Sequence, residues 1–446
     1  MTPRDAEAYL DSLEPIGWKL GLERMRALST LLGMPQHRFA SIHVVGTTGK
    51  SSVTRMIAAL LEAHGVSAGA CVSPHAARWS ERVLVHGEEI GAAEFAAAVE
   101  RAAQAAETVN RGLEAERREH VSLPLRDRSE DEAVVPEGEV VTQFELATAA
   151  AFVALAAARV EAAAIEAGLG GRLDATNTIP SKVTVLTSIG LDHIEWLGDS
   201  EEAIAAEKLA VLRDHSTLVL GRVSAAVAAL AERTAAERGA KLIVAPQDPG
   251  PEVRLRAPGG FQRRNFALAC AAVEAFLGEL DRERAAAVAA GLEIPGRPER
   301  LPGDPPTILD AAHNPDGARA LAEALPEVAG DRPVVACLAI LADKDAKAMI
   351  EALAPALTHA VCTELPAPPA DGPETSDIDA FQARRPSFGA GELARLCQEE
   401  GLPVEAEPGF ADALARARAL ALEANGVLLV TGSHYALAPA RAACED

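Results

Sequence analysis

The sequence predicts an α/β protein in two units: a mainly parallel sheet covered by helices, followed by a smaller α/β unit of the doubly wound kind. Three observations carry this. Short apolar runs alternate with Ala-rich helical stretches, as when parallel strands are joined by crossover helices. The first such run passes directly into a glycine loop and an amphipathic segment, "SIHVVGTTGKSSVTRM" (41–56). Residues 291–306, "GLEIPGRPERLPGDPP", hold five prolines and three glycines before a fresh strand signal, "TILDAAHN", so the units divide as 1–296 and 297–446.

In order along the first unit, "RFASIHVV" (38–45) reads as a buried strand, and Val53, Met56, Ile57, Leu60 and Leu61 give the next segment helical spacing until Gly65. Further strands are expected at 68–72, 160–166, 182–190, 216–220 and 241–245. Residues 114–140 are charged, contain prolines and lack sustained periodicity, which reads as a surface excursion. In the second unit "RPVVACLAIL", "HAVCTEL" and "GVLLVTGS" alternate with helices expected near 315–327, 343–357, 391–400 and 409–424.

Composition bounds the function. The 446 residues are 49% hydrophobic and 24% charged, and the apolar stretches are too short or too broken by charge to span a bilayer, so no membrane partner is expected. "MTPRDAEAYLDSLEP" lacks the blocks of a signal peptide, and the six cysteines form no C-x-x-C pair; a reducing cytoplasmic setting is expected. A formal net charge of −23 repels nucleic acid, so an anionic substrate must be held by a few placed groups.

The glycine loop departs from the G-x-x-x-x-G-K-[ST] spelling, because Val44 stands where the first glycine should be. A glycine-bounded turn from strand to helix still aims several N–H groups and a helix N-terminus at one spot, which suits a polyphosphate, and Lys50 adds a mobile cation. An ordinary turn also favours Gly, Thr and Ser, so the loop alone does not decide. "IEAGLGGRLDATN" (165–177) puts Glu166 at a strand end, where open α/β sheets bind ligands and a carboxylate beside a phosphate loop suits Mg²⁺. "LTSIGLDHIEWLGDS" (186–200) places Asp192 and His193 at a second strand end, and "SPH" offers Ser73 at a third.

Together "HVVGTTGKSS", "SPHAARWSERV", "TQFE", "EAGLGGRLDATN", "SIGLDHIEWLG", "AAEKLAVL", "IPGRPER" and "DAAHNPDG" resemble, in order and spacing, the folylpolyglutamate synthase and dihydrofolate synthase family of the Mur ligase superfamily. The likeness runs from "LGLERM" near residue 20 to "VTGSHYALA" near 437. The resemblance implies a P-loop ATPase-like, mainly parallel sheet domain followed by a smaller Rossmann-like α/β domain. It also implies an ATP-dependent ligase that converts a folate or dihydropteroate carboxylate to an acyl phosphate and joins it to the amino group of L-glutamate. Mur-type ligases use a shortened G-T-N-G-K loop, which accounts for Val44; Thr48 stands where the family usually has Asn, and Lys19 where dihydrofolate synthases carry an acid.

By the same resemblance Thr47, Thr48, Gly49, Lys50 and Ser51 contact ATP phosphates, Asn265 the adenine, and Arg297 and Asp310 the nucleotide from the linker and second domain. Ser73, Glu166 and His193 match Mg²⁺ ligands, and a monovalent cation is a further implied cofactor. Lys208 matches a lysine carbamylated in many members, which requires burial that lowers its pKa; unaided, it reads as a solvent-facing helix residue. Lys50, Lys208 and His313 are the implied catalytic groups. The folate side maps to Lys19, Leu20, Gly21 and Leu22, to Thr142, Gln143, Phe144 and Glu145, and to Leu173, Asp174 and Ala175. A monomer is expected. Two other readings stay open: a Mur-type amide ligase acting on a different acid and amine, and a nucleotide-binding protein without catalysis.

Overall fold

The computed structural model describes residues 1–13, 21–75, 77–122, 140–365 and 386–445. Among them lie two sheets. The first has eight strands, β1 (Ala40–Val45), β2 (Ala68–Cys71), β3 (Val83–Val85), β4 (Glu88–Glu89), β5 (Ala162–Glu166), β6 (Val183–Leu186), β7 (Thr217–Leu220) and β8 (Lys241–Val244), in the order β4-β3-β2-β5-β1-β6-β7-β8. Strands β2, β5, β1, β6, β7 and β8 run parallel, and β3 and β4 add an antiparallel edge. The second has six, β9 (Glu299–Leu301), β10 (Thr307–Leu309), β11 (Val334–Leu338), β12 (His359–Cys362), β13 (Val404–Ala406) and β14 (Val427–Thr431), in the order β13-β12-β11-β14-β10-β9, with only β9 antiparallel to its neighbour. Both are mainly parallel α/β sheets, as the alternating pattern predicts.

Every expected strand is present, and the central ones are buried throughout except at Ala40, the first residue of β1. The four the sequence did not signal, β3, β4, β9 and β13, have two or three residues each, too few for a period to be read. Helix Lys50–Ala63 buries Val53, Met56, Ile57, Leu60 and Leu61 against one face of the first sheet, where helix Gly260–Leu277 packs beside it through Phe266. The opposite face carries helix Gln143–Ala157, apolar all round and therefore buried.

Two boundaries differ from expectation. Helix Ala92–Ser122 extends into the predicted excursion; "EAERREH" has no apolar stripe, but its Glu, Ala and Arg are good helix formers. Residues 123–139 lie outside the described residues. The helix expected over 343–357 spans only Ala346–Leu353, because Asp345 caps it through the Ala348 N–H and Pro355 falls in a separate 3-10 turn. Helix Arg282–Gly291 packs on helix Lys50–Ala63, and the chain then crosses to β9 in the second sheet.

Candidate active site

The carboxyl ends of β2, β5, β1 and β6 lie side by side, which brings four sequence-distant loops together. After β1 the chain turns at Gly46 and Gly49. Gly49 has φ +81, and a Cβ there would lie 2.8 Å from Oδ1 of Asn265, so both backbone and space require glycine. Val44 is the fifth residue of β1 and fully buried; the loop begins after the strand ends, which is why no glycine is needed at that position. The segment after β6 clasps the loop. The N–H groups of Thr47 and Thr48 donate to the carbonyl and Oγ of Ser188 at 2.8 and 3.1 Å, and Thr187 Oγ1 donates to the Thr48 carbonyl at 2.6 Å. Thr48 Oγ1 meets Ser188 Oγ at 2.9 Å. The helix hydrogen bonds begin with the Val53 N–H on the Gly49 carbonyl, so the N–H groups of Gly49, Lys50, Ser51 and Ser52 are those a helix start leaves for an anion. Lys50 Nζ donates to the Thr47 carbonyl at 3.2 Å.

Glu166, the last residue of β5, is 2% exposed; Ser51 Oγ donates to one carboxylate oxygen at 2.9 Å and the Ser73 N–H to the other at 2.8 Å. Burial raises its pKa, opposed by the Lys50 charge and those two donors. The following loop is folded on Asp174, which accepts from the N–H groups of Gly168, Leu169 and Thr176 at 3.0, 2.9 and 2.9 Å. Its glycines allow close approach within the protein: a Cβ on Gly168 would strike the Phe144 ring at 2.4 Å, and one on Gly171 the carbonyl oxygens of Glu207 and Lys208 at 2.8 and 3.0 Å. Lys208 itself is 5% exposed on helix Glu201–Leu209, and burial, reinforced by the Lys50 charge, drives its pKa down to about 7. Without the resemblance the sequence reads Lys208 as solvent-facing; the structure corrects this, burying it at the end of a helix whose last carbonyls the glycine loop approaches closely at Gly171.

The second sheet approaches from across the cleft. Asp310, just after β10, is buried; this raises its pKa to about 6 against the pull of Arg297 and the Ala312 N–H. His313 Nδ1 lies 2.8 Å from the Ala311 carbonyl, and burial lowers its pKa to about 4. Asp192 links the sheets: Lys344 Nζ and Asn314 Nδ2 each donate to it at 3.0 Å. Burial would raise the Asp192 pKa, but His193, Lys344 and His313 outweigh it and hold the carboxyl well below its usual range. A cavity of about 990 Å³ lies between the sheets.

Residues 296–434 match the family described as Mur ligase, glutamate ligase domain. The chain is 34% identical over 393 residues to the dihydrofolate synthase/folylpolyglutamate synthase of Mycobacterium tuberculosis, covering 81% of this chain and 76% of that one. The chain belongs to the dihydrofolate synthase/folylpolyglutamate synthase family. Among solved structures, Mycobacterium tuberculosis folylpolyglutamate synthase complexed with ADP superposes with a TM-score of 0.83 at 29% identity, covering 100% of this chain and 98% of that chain. A bifunctional folylpolyglutamate synthase/dihydrofolate synthase with Mn, AMPPNP and L-glutamate bound gives 0.76 at 25% identity, covering 100% and 98%.

In this synthase-family chain the cavity is lined by Gly21, Thr47 through Ser51, Ser73, Thr142 through Glu145, Glu166, Leu173 through Ala175, His193, Lys208, Asn265, Arg297, Asp310 and His313. Lys19 and Leu20 lie outside the described residues. Leu22 does not line the cavity; it is buried at the start of helix Glu23–Leu31, where an apolar side chain gains more from the core than from a polar cleft. At "TQFE" the polar atoms have internal partners: Thr142 and Glu145 form a capping box, Glu145 pairs with buried Arg24 at 3.0 Å, and Gln143 Nε2 donates to the Leu10 carbonyl at 2.9 Å. Sequence reasoning passed over Arg82, Trp196, Lys344 and Tyr435, since an isolated Arg, Lys or aromatic residue carries no spacing signal. Three of these also border the cavity, and Lys344 does so only indirectly, through cavity-lining Asp192.

Proposed function

We propose that this chain uses ATP to join the carboxylate of a folate, or of dihydropteroate, to the amino group of L-glutamate. The observation that carries this is the convergence of Lys50, Glu166 and buried Lys208 from one sheet with Asp310 and His313 from the other around one cavity. A carboxylate is a poor electrophile; phosphorylation gives its oxygen a leaving group, after which glutamate nitrogen attacks, a tetrahedral intermediate forms and phosphate departs. Three anions must be held together, which explains a cleft rich in donors inside an acidic protein.

Thr47, Thr48, Gly49, Lys50 and Ser51 would take the ATP phosphates on the helix N-terminus, with Lys50 Nζ leaving the Thr47 carbonyl for the transferring phosphoryl group. Asn265, against Gly49, would face the adenine, and Arg297 and Asp310 the rest of the nucleotide. Glu166, Ser73 and His193 all line the cavity and would hold a hard divalent cation together with phosphate oxygens, as Mg²⁺ is commonly bound by one or two carboxylates plus phosphate; among the described residues no group of three or more His, Cys, Asp and Glu makes a complete metal site without the nucleotide. When bound the divalent cation would neutralise phosphate charge; a monovalent cation would serve the same anions. Lys208, with a pKa near 7, has the neutral fraction that carbamylation needs. His313 can accept a hydrogen bond from the attacking amine on Nε2, since Nδ1 is engaged by Ala311, though its low pKa makes it an orienting group more than a proton store.

The Phe144 ring, Leu173, Ala175 and Gly21 would receive the pterin and aminobenzoate body, with Thr142, Gln143, Glu145 and Asp174 shaping that wall. The division at 296 and 297, a monomeric state and a cytoplasmic setting without nucleic-acid partners complete the reading; no described helix is long and apolar enough to cross a membrane. Incubation with ATP, Mg²⁺, L-glutamate and either dihydropteroate or tetrahydrofolate should release phosphate and give an acid product heavier by one glutamyl residue per addition. Absence of phosphate release with both acids would refute it.

A further inference from the structure

Arg82 ends the short turn Trp79–Arg82 that leads into β3 and borders the cavity. Its Nε–H donates to Nδ1 of His75 at 2.9 Å, which leaves that imidazole neutral with its proton on Nε2. The guanidinium carbon lies 4.1 Å from the centroid of the Trp79 ring, and His75 packs on the same ring at 4.5 Å. One edge and one face of the guanidinium are thus fixed by protein. Among the described residues no carboxylate pairs with Arg82. Burial lowers its pKa to about 10, opposed only in part by Cys71, Tyr435, Glu166 and Glu7. Tyr435 lines the same cavity from the second sheet, close enough to act on the Arg82 charge. A half-buried cation with no carboxylate beside it gains from a ligand that supplies one, and a planar fork oriented in advance matches a carboxylate.

We infer that Arg82 is a carboxylate receptor: it binds, through its Nη1 and Nη2 hydrogens, a substrate carboxylate other than the one being activated. This rests on the ligase reading above. Two sources carry such a group, the incoming glutamate and the glutamyl tail of a folate; dihydropteroate has no spare carboxylate.

The test is equilibrium titration of L-glutamate, tetrahydrofolate and dihydropteroate onto the full chain and onto R82Q and R82K, with Mg²⁺ and a non-hydrolysable ATP analogue. R82Q should weaken one carboxylate ligand about 10- to 100-fold, the scale of a charge-assisted pair, with R82K between it and wild type. Weakening of glutamate identifies the amino acid as the source. Weakening of tetrahydrofolate with dihydropteroate unchanged identifies the folate tail. Affinity for the ATP analogue and thermal midpoint should stay within about twofold and a few degrees of wild type, which separates this role from general damage to the fold. Equal affinities in wild type and R82Q, loss of nucleotide affinity in proportion, or failure of wild type to bind glutamate and tetrahydrofolate would overturn it. Because binding is read directly, a wild type that binds but releases no phosphate would refute the ligase reading and leave Arg82 standing.

Discussion

The two sheets bring opposite kinds of strand end to one cleft. Around β1 the first sheet places a glycine loop and Lys50, with Glu166 and the Thr187–Ser188 clasp on the strands either side. These groups hold one another, so that surface is assembled whether or not the other sheet is near. The second sheet brings Asp310 and His313, both shifted toward neutrality by burial, and the ammonium of Lys344 near the cleft is engaged by Asp192 of the first. One side is organised for charge by its own backbone, and the other becomes polar and useful through docking. The difference shows where function should fail when each is disturbed.

Breaking the join should have the largest effect. Lys344→Met leaves Asp192 largely buried without its ammonium partner, and losing one partner of a buried pair costs about 3–5 kcal/mol. The expected outcome is a larger radius of gyration in small-angle scattering and a raised KM for ATP, with Asp192→Asn restoring part of both in the double variant. Unchanged scattering and KM would mean the sheets stay together by other contacts, such as Arg264–Glu323. Next in size is Lys50→Ala, which should lower phosphate release by about 10²- to 10³-fold while the thermal midpoint hardly moves, since Lys50 Nζ contributes only one hydrogen bond to the loop. A large drop in midpoint would show that the loop is not self-supporting.

Val44→Gly asks whether the loop wants its missing glycine. Val44 is fully buried in β1 between β5 and β6, so the variant should lose about 2–3 kcal/mol in denaturant unfolding through lost burial and strand flexibility, without any gain in ATP affinity. Tighter ATP binding would contradict a loop that starts at Gly46.

Lys208 gives a smaller, pH-dependent effect. Its folded pKa near 7 lies below the unfolded value of about 10.4, so between those limits the unfolded chain holds more protons and stability rises with pH; below about 7 both states are protonated and the slope vanishes. The slope should approach about 1.4 kcal/mol per pH unit at most, and Lys208→Met should remove it. If carbamylation follows, bicarbonate should raise activity and native mass should grow by one CO₂, both lost in Lys208→Met.

The same contrast explains what the sequence disclosed. The first sheet was legible because its chemistry is local: a strand, a glycine loop and a helix stand within twenty-four residues, and Glu166 and Asp192 lie at the ends of strand signals. Lys208 looked solvent-facing because its burial follows from packing that its own helix does not signal, including the close approach of Gly171, more than thirty residues away in sequence, to the helix's last carbonyls. "TQFE" was legible as a motif but not as a capping box tied to Arg24, since that pair joins residues 121 positions apart. Lys344 and Arg82 gave no signal, as each gains meaning only from a surface presented by another element.

The smallest expected effect concerns Thr48, where the family usually has Asn. Its side chain meets Ser188 Oγ, but the loop is held mainly through backbone: the Thr47 and Thr48 N–H groups donate to Ser188, and the Thr48 carbonyl accepts from Thr187. Thr48→Asn should therefore change ATP affinity less than about threefold, the loss or gain of under one ordinary hydrogen bond. Thr187→Val removes a hydroxyl that bonds the Thr48 carbonyl at 2.6 Å and lies 3.3 Å from the Val45 carbonyl, so it should weaken ATP by several-fold, about 1 kcal/mol, although Thr187 supplies no group of the loop itself. Calorimetric titration of both variants with ADP orders them. If Thr48→Asn has the larger effect, the side chain at position 48 sets the loop's shape; if Thr187→Val does, the clasp from the neighbouring strand sets it, and the loop tolerates Thr for that reason.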